Sequence, residues 1–248
     1  ETGIKKEETF YIDGVQEGLW TEWFEDGQKR RERNFKNGER DSTWNTWYEN
    51  GNKRFLATYS DGKLNGKYTR WYQGGIIKEQ DGDYTNNKKH NRWVFWAKNG
   101  QKSEEINYNT GIQNGPHIKW FGDSSDQHKK FHKNFKNGEK DGAWHYWYTT
   151  GVDSLKSNYL EGKKDGHWVW WRSNGLKDKE GFYKKEKKHG VWTVWNDSSG
   201  TAYHKLHEET FVNDIIDGSV TKWYKEGDID RQGVMRGKER EGEWTYWE

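Results

Sequence analysis

Asp165-Gly166-His167-Trp168-Val169-Trp170-Trp171-Arg172-Ser173-Asn174-Gly175 carries a pattern, G-x-W-x-x-W-x-x-N-G, that returns from one end of the chain to the other. Its second Trp falls at Trp23, Trp47, Trp71, Trp96, Trp120, Trp147, Trp171, Trp195, Trp223 and Trp247. The ten copies lie 24, 24, 25, 24, 27, 24, 24, 28 and 24 residues apart. A period of this length marks a repeat architecture, in which each repeat is one supersecondary unit stacked on its neighbours.

Aligned on the second Trp, the repeats share a constant core. Twelve residues upstream stands a lone aromatic at Tyr11, Phe35, Tyr59, Tyr84, Tyr108, Phe135, Tyr159, Tyr183 and Phe211, with Met235 in the last copy. Five residues upstream is Gly in eight copies, with Ser42 and Asn91 in the other two. Three residues upstream is the first Trp of the pair, replaced by Tyr68, His117 and Val220 in three copies.

Turn signals separate these columns. Asn-Gly or Asp-Gly follows the Trp pair, as in Asp26-Gly27 and Asn174-Gly175, and also follows the lone aromatic, as in Asn37-Gly38 and Asp61-Gly62. Such dipeptides between short aromatic-rich runs are the strongest local signal for a β-hairpin, because a type I′ turn needs positive φ. There is one proline, Pro116, and no helical periodicity. Each repeat therefore reads as two strands of six or seven residues. The two Trp of a pair are three residues apart and point to opposite faces of a regular strand. The first shares its face with the residue after the second, such as Tyr48 or Tyr148, and faces Phe35 across a symmetric hairpin. The second shares its face with Thr21, Thr69, Val94, Ile118, Val169 and Thr193. A bulge at the neighbouring Gly would alter this assignment.

Low hydrophobic content (29%), high charge (33%) and a mean hydropathy of −1.43 point towards disorder, but 17% aromatic residues with 18 Trp overrule that reading. The apolar material is concentrated in rings. The rings read first as structure: a thin sheet has no second layer, and Lys, Arg and Glu stems cover what the rings leave open. An aromatic binding ladder is the alternative. Forty-two basic residues against 40 acidic ones leave no basic block for nucleic acid. Cysteine is absent, and no apolar run is long enough to span a membrane. The only methionine is Met235, and Glu1-Thr2-Gly3 reads as a leader left by secretory expression, pointing to an extracellular, periplasmic or cell-surface protein. Residues 1–9 are then leader, and 10–248 one array of ten repeats.

The stretch Asp141-Gly142-Ala143-Trp144-His145-Tyr146-Trp147-Tyr148, running on to Tyr159-Leu160-Glu161-Gly162, resembles the MORN-repeat variant family of bacterial proteins. The resemblance extends over residues 10–248. It implies successive β-hairpins in an elongated sheet, and a scaffold or membrane-contacting role; some members are described as antitoxin components. The repeats also resemble, more distantly, the choline-binding hairpins of cell-wall proteins, whose period is nearer twenty residues and whose aromatic order differs.

No set of nucleophile, base and orienting group stands out, so no enzyme activity and no cofactor are expected. His128 and His132, and His204 and His207, lack the carboxylate or Cys partners that a metal site needs. Gly122-Asp123-Ser124-Ser125-Asp126 and Asp228-Ile229-Asp230 hold only fragments of a calcium loop. All extra length falls between a second Trp and the next lone aromatic, chiefly in the connections Gly122–Asn134 and Asn196–Thr210. Long loops on a rigid scaffold are a usual seat of function. Candidate partner-binding residues are therefore Asp123, Asp126, His128, Phe131, His132, Asp197, Tyr203, His204 and His207, with Phe131 and Tyr203 as aromatic tips; the ten second Trp are the structural set. The expectation is an all-β, elongated, open antiparallel meander of about ten hairpins that binds a protein partner, secreted or at the cell surface. A glycan or cell-wall polymer is the second candidate ligand, and an intracellular antitoxin-type role the third.

Overall fold

The computed structural model describes residues 3–122, 127–196 and 203–248, and all regular structure among them is β-strand. The chain divides into two units, Glu1–Gln127 and His128–Glu248. The first contains β1 (Glu7–Ile12), β2 (Val15–Trp23), β3 (Lys29–Lys36), β4 (Glu39–Trp47), β5 (Lys53–Ser60), β6 (Lys63–Trp71), β7 (Lys78–Thr85), β8 (Lys88–Trp96), β9 (Lys102–Asn109) and β10 (Ile112–Trp120). The second contains β11 (Lys129–Lys136), β12 (Glu139–Lys140), β13 (Gly142–Trp147), β14 (Asp153–Leu160), β15 (Lys163–Lys164), β16 (Gly166–Trp171), β17 (Lys177–Lys184), β18 (Lys187–Trp195), β19 (Lys205–Val212), β20 (Ile215–Trp223), β21 (Ile229–Arg236) and β22 (Glu239–Tyr246). Within each unit the strands run as an antiparallel meander, as in the β2–β3, β3–β4 and β4–β5 pairings. β12–β13 and β15–β16 are single hairpin arms, each interrupted at a bulge. Most arms are eight or nine residues long, against the six or seven expected.

The two kinds of turn differ. Asn37 (φ 50°) and Gly38 (φ 78°) both have positive φ between the paired residues Lys36 and Glu39, a two-residue turn of the I′ kind. The Gly38 N–H then donates to the Gln16 carbonyl of the preceding repeat at 2.9 Å. After the Trp pair only Gly27 is positive (φ 84°), and its N–H donates to the Phe24 carbonyl at 3.0 Å. That turn is therefore not of the I′ kind, although its dipeptide looks the same.

Each lone-aromatic hairpin also carries a bulge. In β3–β4, Asn34 pairs with Asp41 and Glu32 with Asn45, so Arg33 alone opposes three residues. The bulge turns on the column of glycines five residues before the second Trp, all with positive φ. Ser42 (φ 53°) and Asn91 (φ 57°) adopt the same conformation, so the two departures from Gly do not loosen their repeats. The bulge lies before the first Trp and leaves the face alternation intact: Phe35 and Trp44 meet at 5.5 Å, Phe135 and Trp144 at 5.2 Å.

Burial separates the two Trp columns. The first Trp is the buried one: Trp93 is fully covered, Trp168 is 4% exposed, and Trp44, Trp144 and Trp192 are buried with them. The second Trp is half-buried along the array, and Trp247 is 39% exposed. The reason is polar as well as apolar. Each buried indole N–H donates to the carbonyl ten residues upstream: Trp44 to Asn34 at 3.0 Å, Trp93 to Asp83 at 3.0 Å, Trp144 to Asn134 at 2.8 Å, Trp168 to Asn158 at 3.1 Å. At Asn134 and Asn158 that carbonyl also takes the N–H of Asp141 or Asp165 at 3.1 Å, so the indole uses its second lone pair. A buried Trp must satisfy its N–H, and the bulge supplies the acceptor.

Candidate functional site

The face bearing the first Trp is a ladder of rings. In the second unit it runs Trp144–Tyr159 (4.8 Å), Tyr159–Trp168 (5.3 Å), Trp168–Tyr183 (5.3 Å) and Tyr183–Trp192 (5.0 Å). Cations cap it. Lys140 lies over Trp144 and Tyr159 at 5.0 and 4.7 Å, and Lys188 over Trp192 and Phe211 at 4.5 and 4.7 Å. Lys89 does the same over Trp93 in the first unit at 4.2 Å, and burial there pushes its ammonium pKa down. Tyr146, on the same face, has its hydroxyl pushed up to about 12 by burial.

The opposite face pairs half-buried Trp with Lys. Lys78 lies over Trp96 at 5.8 Å, Lys156 over Trp171 at 5.1 Å, Lys177 over Trp195 at 5.3 Å and Lys205 over Trp223 at 5.8 Å. Acids three residues along the strand hold these lysines, as Glu180 holds Lys177 at 2.9 Å. Asp81 takes hydrogen bonds from Thr69 (2.7 Å), Lys67 (2.9 Å) and Lys78 (3.2 Å). Burial raises its pKa, but these three bonds outweigh that and hold the carboxyl below its ordinary value.

On the first-Trp face Arg40 caps Trp44 and Tyr59 in the same way, at 4.9 and 5.5 Å, and a region rich in further arginines adjoins it. In the first unit an open groove of roughly 840 Å³ is lined by Arg30, Arg31, Arg33, Arg54 and Arg70, with Phe24, Tyr48 and Phe55 among its walls. Glu22 pairs with Arg30 and Arg31 at 3.0 Å, and Glu79 with Arg70 at 2.9 Å. Arg33 lies between Trp20 (4.8 Å) and Trp44 (4.7 Å), and its buried Nε has no hydrogen-bond partner. Burial, then the neighbouring Arg31, pushes its pKa down. The repeat pattern alone does not single out these arginines. The column fourteen residues before the second Trp carries only part of the signal: it is small at Ala57, Gly82, Ser157, Gly181 and Gly233, but holds Thr9, Ile106, Lys133 and Glu209 in four other repeats and Arg33 here.

The loop candidates are dispersed. Asp123, Asp126 and Asp197 lie outside the described residues. Phe131, His132 and His207 stand within β11 and β19 and not in loops, because the arms begin at Lys129 and Lys205. Phe131 is 9% exposed against Tyr146, so it is no loop tip. Burial pushes the pKa of His132 and His207 down. His128 and His204 end the insertions in equivalent places: His128 Nδ1 meets the Thr149 carbonyl at 3.0 Å, His204 Nε2 the Tyr224 carbonyl at 3.1 Å, each at the next turn. Tyr203 is 37% exposed, donates to the Lys177 carbonyl at 3.0 Å and stacks on Trp195. Among the described residues no three His, Cys, Asp or Glu are grouped to hold a metal, and no helix is long and apolar enough to cross a membrane.

The family profile described as MORN repeat variant matches residues 16–37, most of β2 and β3 with the turns that follow each. No curated protein matches the chain.

Proposed function

We propose that this array, built on the MORN-variant hairpin matched at residues 16–37, is a non-enzymatic scaffold that binds a protein partner, in a secreted or surface-exposed setting. MORN repeats are in general protein- or membrane-binding modules. The observation that favours protein over glycan is the state of the half-buried Trp. A glycan ladder stacks sugar rings on bare indole faces, whereas Lys78, Lys156, Lys177 and Lys205 already lie over Trp96, Trp171, Trp195 and Trp223. Mixed aromatic and Arg surface is what protein interfaces are enriched in. On this reading the insertions contribute: Asp123, Asp126, Asp197 and Tyr203 form the loop contacts, and His128 and His204 anchor the loop ends.

The test is to capture partners on the immobilised chain, repeat binding with purified components, and run the same chain on a glycan array. A purified protein that binds saturably, with an empty glycan array, supports the reading. Glycan binding without any protein partner overturns it. Replacing 121–128 and 196–204 by turns copied from Tyr148–Val152 tests the loops: a folded variant with full partner affinity removes them from the interface. Fractionation of the source cells tests the location, and a cytoplasmic toxin as the purified partner would give the antitoxin role.

A further inference from the structure

We infer that the arginine groove of the first unit binds an extended acidic segment of a protein partner, an inference that rests on the protein-binding reading above. Ala57, Gly82, Ser157, Gly181 and Gly233 put a small residue in the column fourteen residues before the second Trp, whereas Arg33 there inserts a guanidinium between Trp20 and Trp44, and Lys133 an ammonium over Trp144 at 5.0 Å. At Gly82 and Gly181 an added Cβ would stand 2.4 and 2.2 Å from the ring of Trp93 or Trp192, so the Trp lies directly on the backbone there. At Arg33 that packing gives way to a half-buried charge whose Nε lacks a partner. Neither Arg33 nor Arg54 has an ion-pair partner within the chain among the described residues; Arg54 stacks on Tyr48 at 5.6 Å. A guanidinium stacked on a ring keeps its donor edge pre-set for a carboxylate, which a lysine in the same place would not.

The spacing sets the shape of the ligand. Arg30 and Arg54 are each the extra residue of the bulge opposite a second Trp, Trp23 and Trp47. They are one hairpin apart, about 10 Å at two strand spacings. A segment extended as a polyproline II helix advances about 9 Å per three-residue turn and returns every third side chain to the same side. Carboxylates at every third position would therefore meet successive arginines, with the intervening residues against Phe24, Tyr48 and Phe55. A bilayer of anionic headgroups is a flat alternative, but Arg33 is recessed between two indoles, where a side-chain carboxylate can reach and a plane of headgroups cannot.

The probe is a fluorescein-labelled peptide of repeated Glu-Leu-Ser, compared by anisotropy with its Gln-Leu-Ser counterpart on the whole chain. The Glu peptide should bind saturably and weaken about tenfold or more on raising salt, as a charge-paired groove requires. Arg33→Gln and Arg54→Gln should each weaken it about tenfold, the loss expected when one desolvated charge pair is removed. Arg236→Gln, which breaks an exposed pair with Glu241 in the second unit, should not. Arg54 has no buried packing role, so its variant decides the matter if Arg33→Gln fails to fold. Absence of saturable binding, or equal affinity in the Arg54 variant, overturns the inference. So does binding to phosphatidylserine vesicles, but not to the peptide, that the same variants abolish. If a purified partner still binds Arg54→Gln with full affinity, this groove is wrong while the protein-binding reading stands.

Discussion

The hydroxyl of Tyr48 donates to the backbone carbonyl of Trp71, one repeat further on, at 2.7 Å. The same bond joins Tyr72 to Trp96 (2.8 Å), Tyr148 to Trp171 (2.8 Å) and Tyr224 to Trp247 (2.6 Å). Arg172, replacing the tyrosine, reaches the Trp195 carbonyl at 2.9 Å. At Tyr48, Tyr72, Tyr148, Arg172 and Tyr224 the residue after the second Trp thus ties its repeat to the next. Tyr148→Phe keeps the ring and loses only this bond, and should destabilise the chain by about 1 kcal/mol in urea unfolding. An unchanged midpoint would mean that water replaces the hydroxyl without loss.

The two Trp columns should differ sharply on truncation. Trp168→Ala removes a buried ring and leaves the Asn158 carbonyl short of one donor, and should cost roughly 3–5 kcal/mol. Trp171→Ala, at a half-buried ring, should cost clearly less. Chemical denaturation of the two variants decides it; equal losses would show that the cation cover over the second column stabilises as much as full burial does.

Much of this was legible in the sequence, and the limits are physical. The opposite faces of Trp44 and Trp47 follow from spacing alone, and so does the approach of Phe35 to Trp44. Which column is buried does not follow, because both repeat with the same period and only the bulge brings an acceptor carbonyl to the first indole. The extra length is visible too, but connections taken as far as Asn134 and Thr210 put Phe131, His132 and His207 in loops, whereas β11 and β19 begin at Lys129 and Lys205. Arg33 does not stand out because its column mixes Gly, Ala and Ser with Thr9, Ile106, Lys133 and Glu209 and carries no turn signal, so that it reads as drift until Trp93 is seen lying on Gly82.

The positive-φ column makes a prediction about its two exceptions. A side chain in the left-handed region costs about 1–2 kcal/mol, which glycine avoids. Ser42→Gly and Asn91→Gly should each raise stability, by somewhat less than this because Ser and Asn tolerate the region better than most and glycine gains freedom when unfolded. Gly142→Ala (φ 70°) should lower it by about 1 kcal/mol. Thermal unfolding of the three variants checks the signs; a loss at Ser42→Gly would mean that its contact with Asp41 outweighs the backbone term.

Acid should weaken the face that carries the second Trp. Asp81 is held below its ordinary pKa by Thr69, Lys67 and Lys78, and its side chain is only 17% exposed. A hydrogen bond from Arg92 holds Glu105 down likewise, against burial, and one from His117 does the same for Glu104 on the opposite face. A carboxyl whose folded pKa is depressed binds fewer protons folded than unfolded, so stability rises with pH across that interval. The contribution is complete above the unfolded value near ~4 and is lost as pH falls through the folded one. At neutral pH, Asp81→Asn should cost roughly 1.5 kcal/mol, the weight of a hydrogen bond to a charged group. As pH falls below about 4 the wild-type carboxyl takes up its proton and the two proteins should converge. Urea unfolding at a series of pH values, with ionic strength held constant, reads the gap directly. A gap that stays constant from neutral to acid would show that Asp81 acts through its shape and neutral hydrogen bonds, with no share in the acid sensitivity of the sheet.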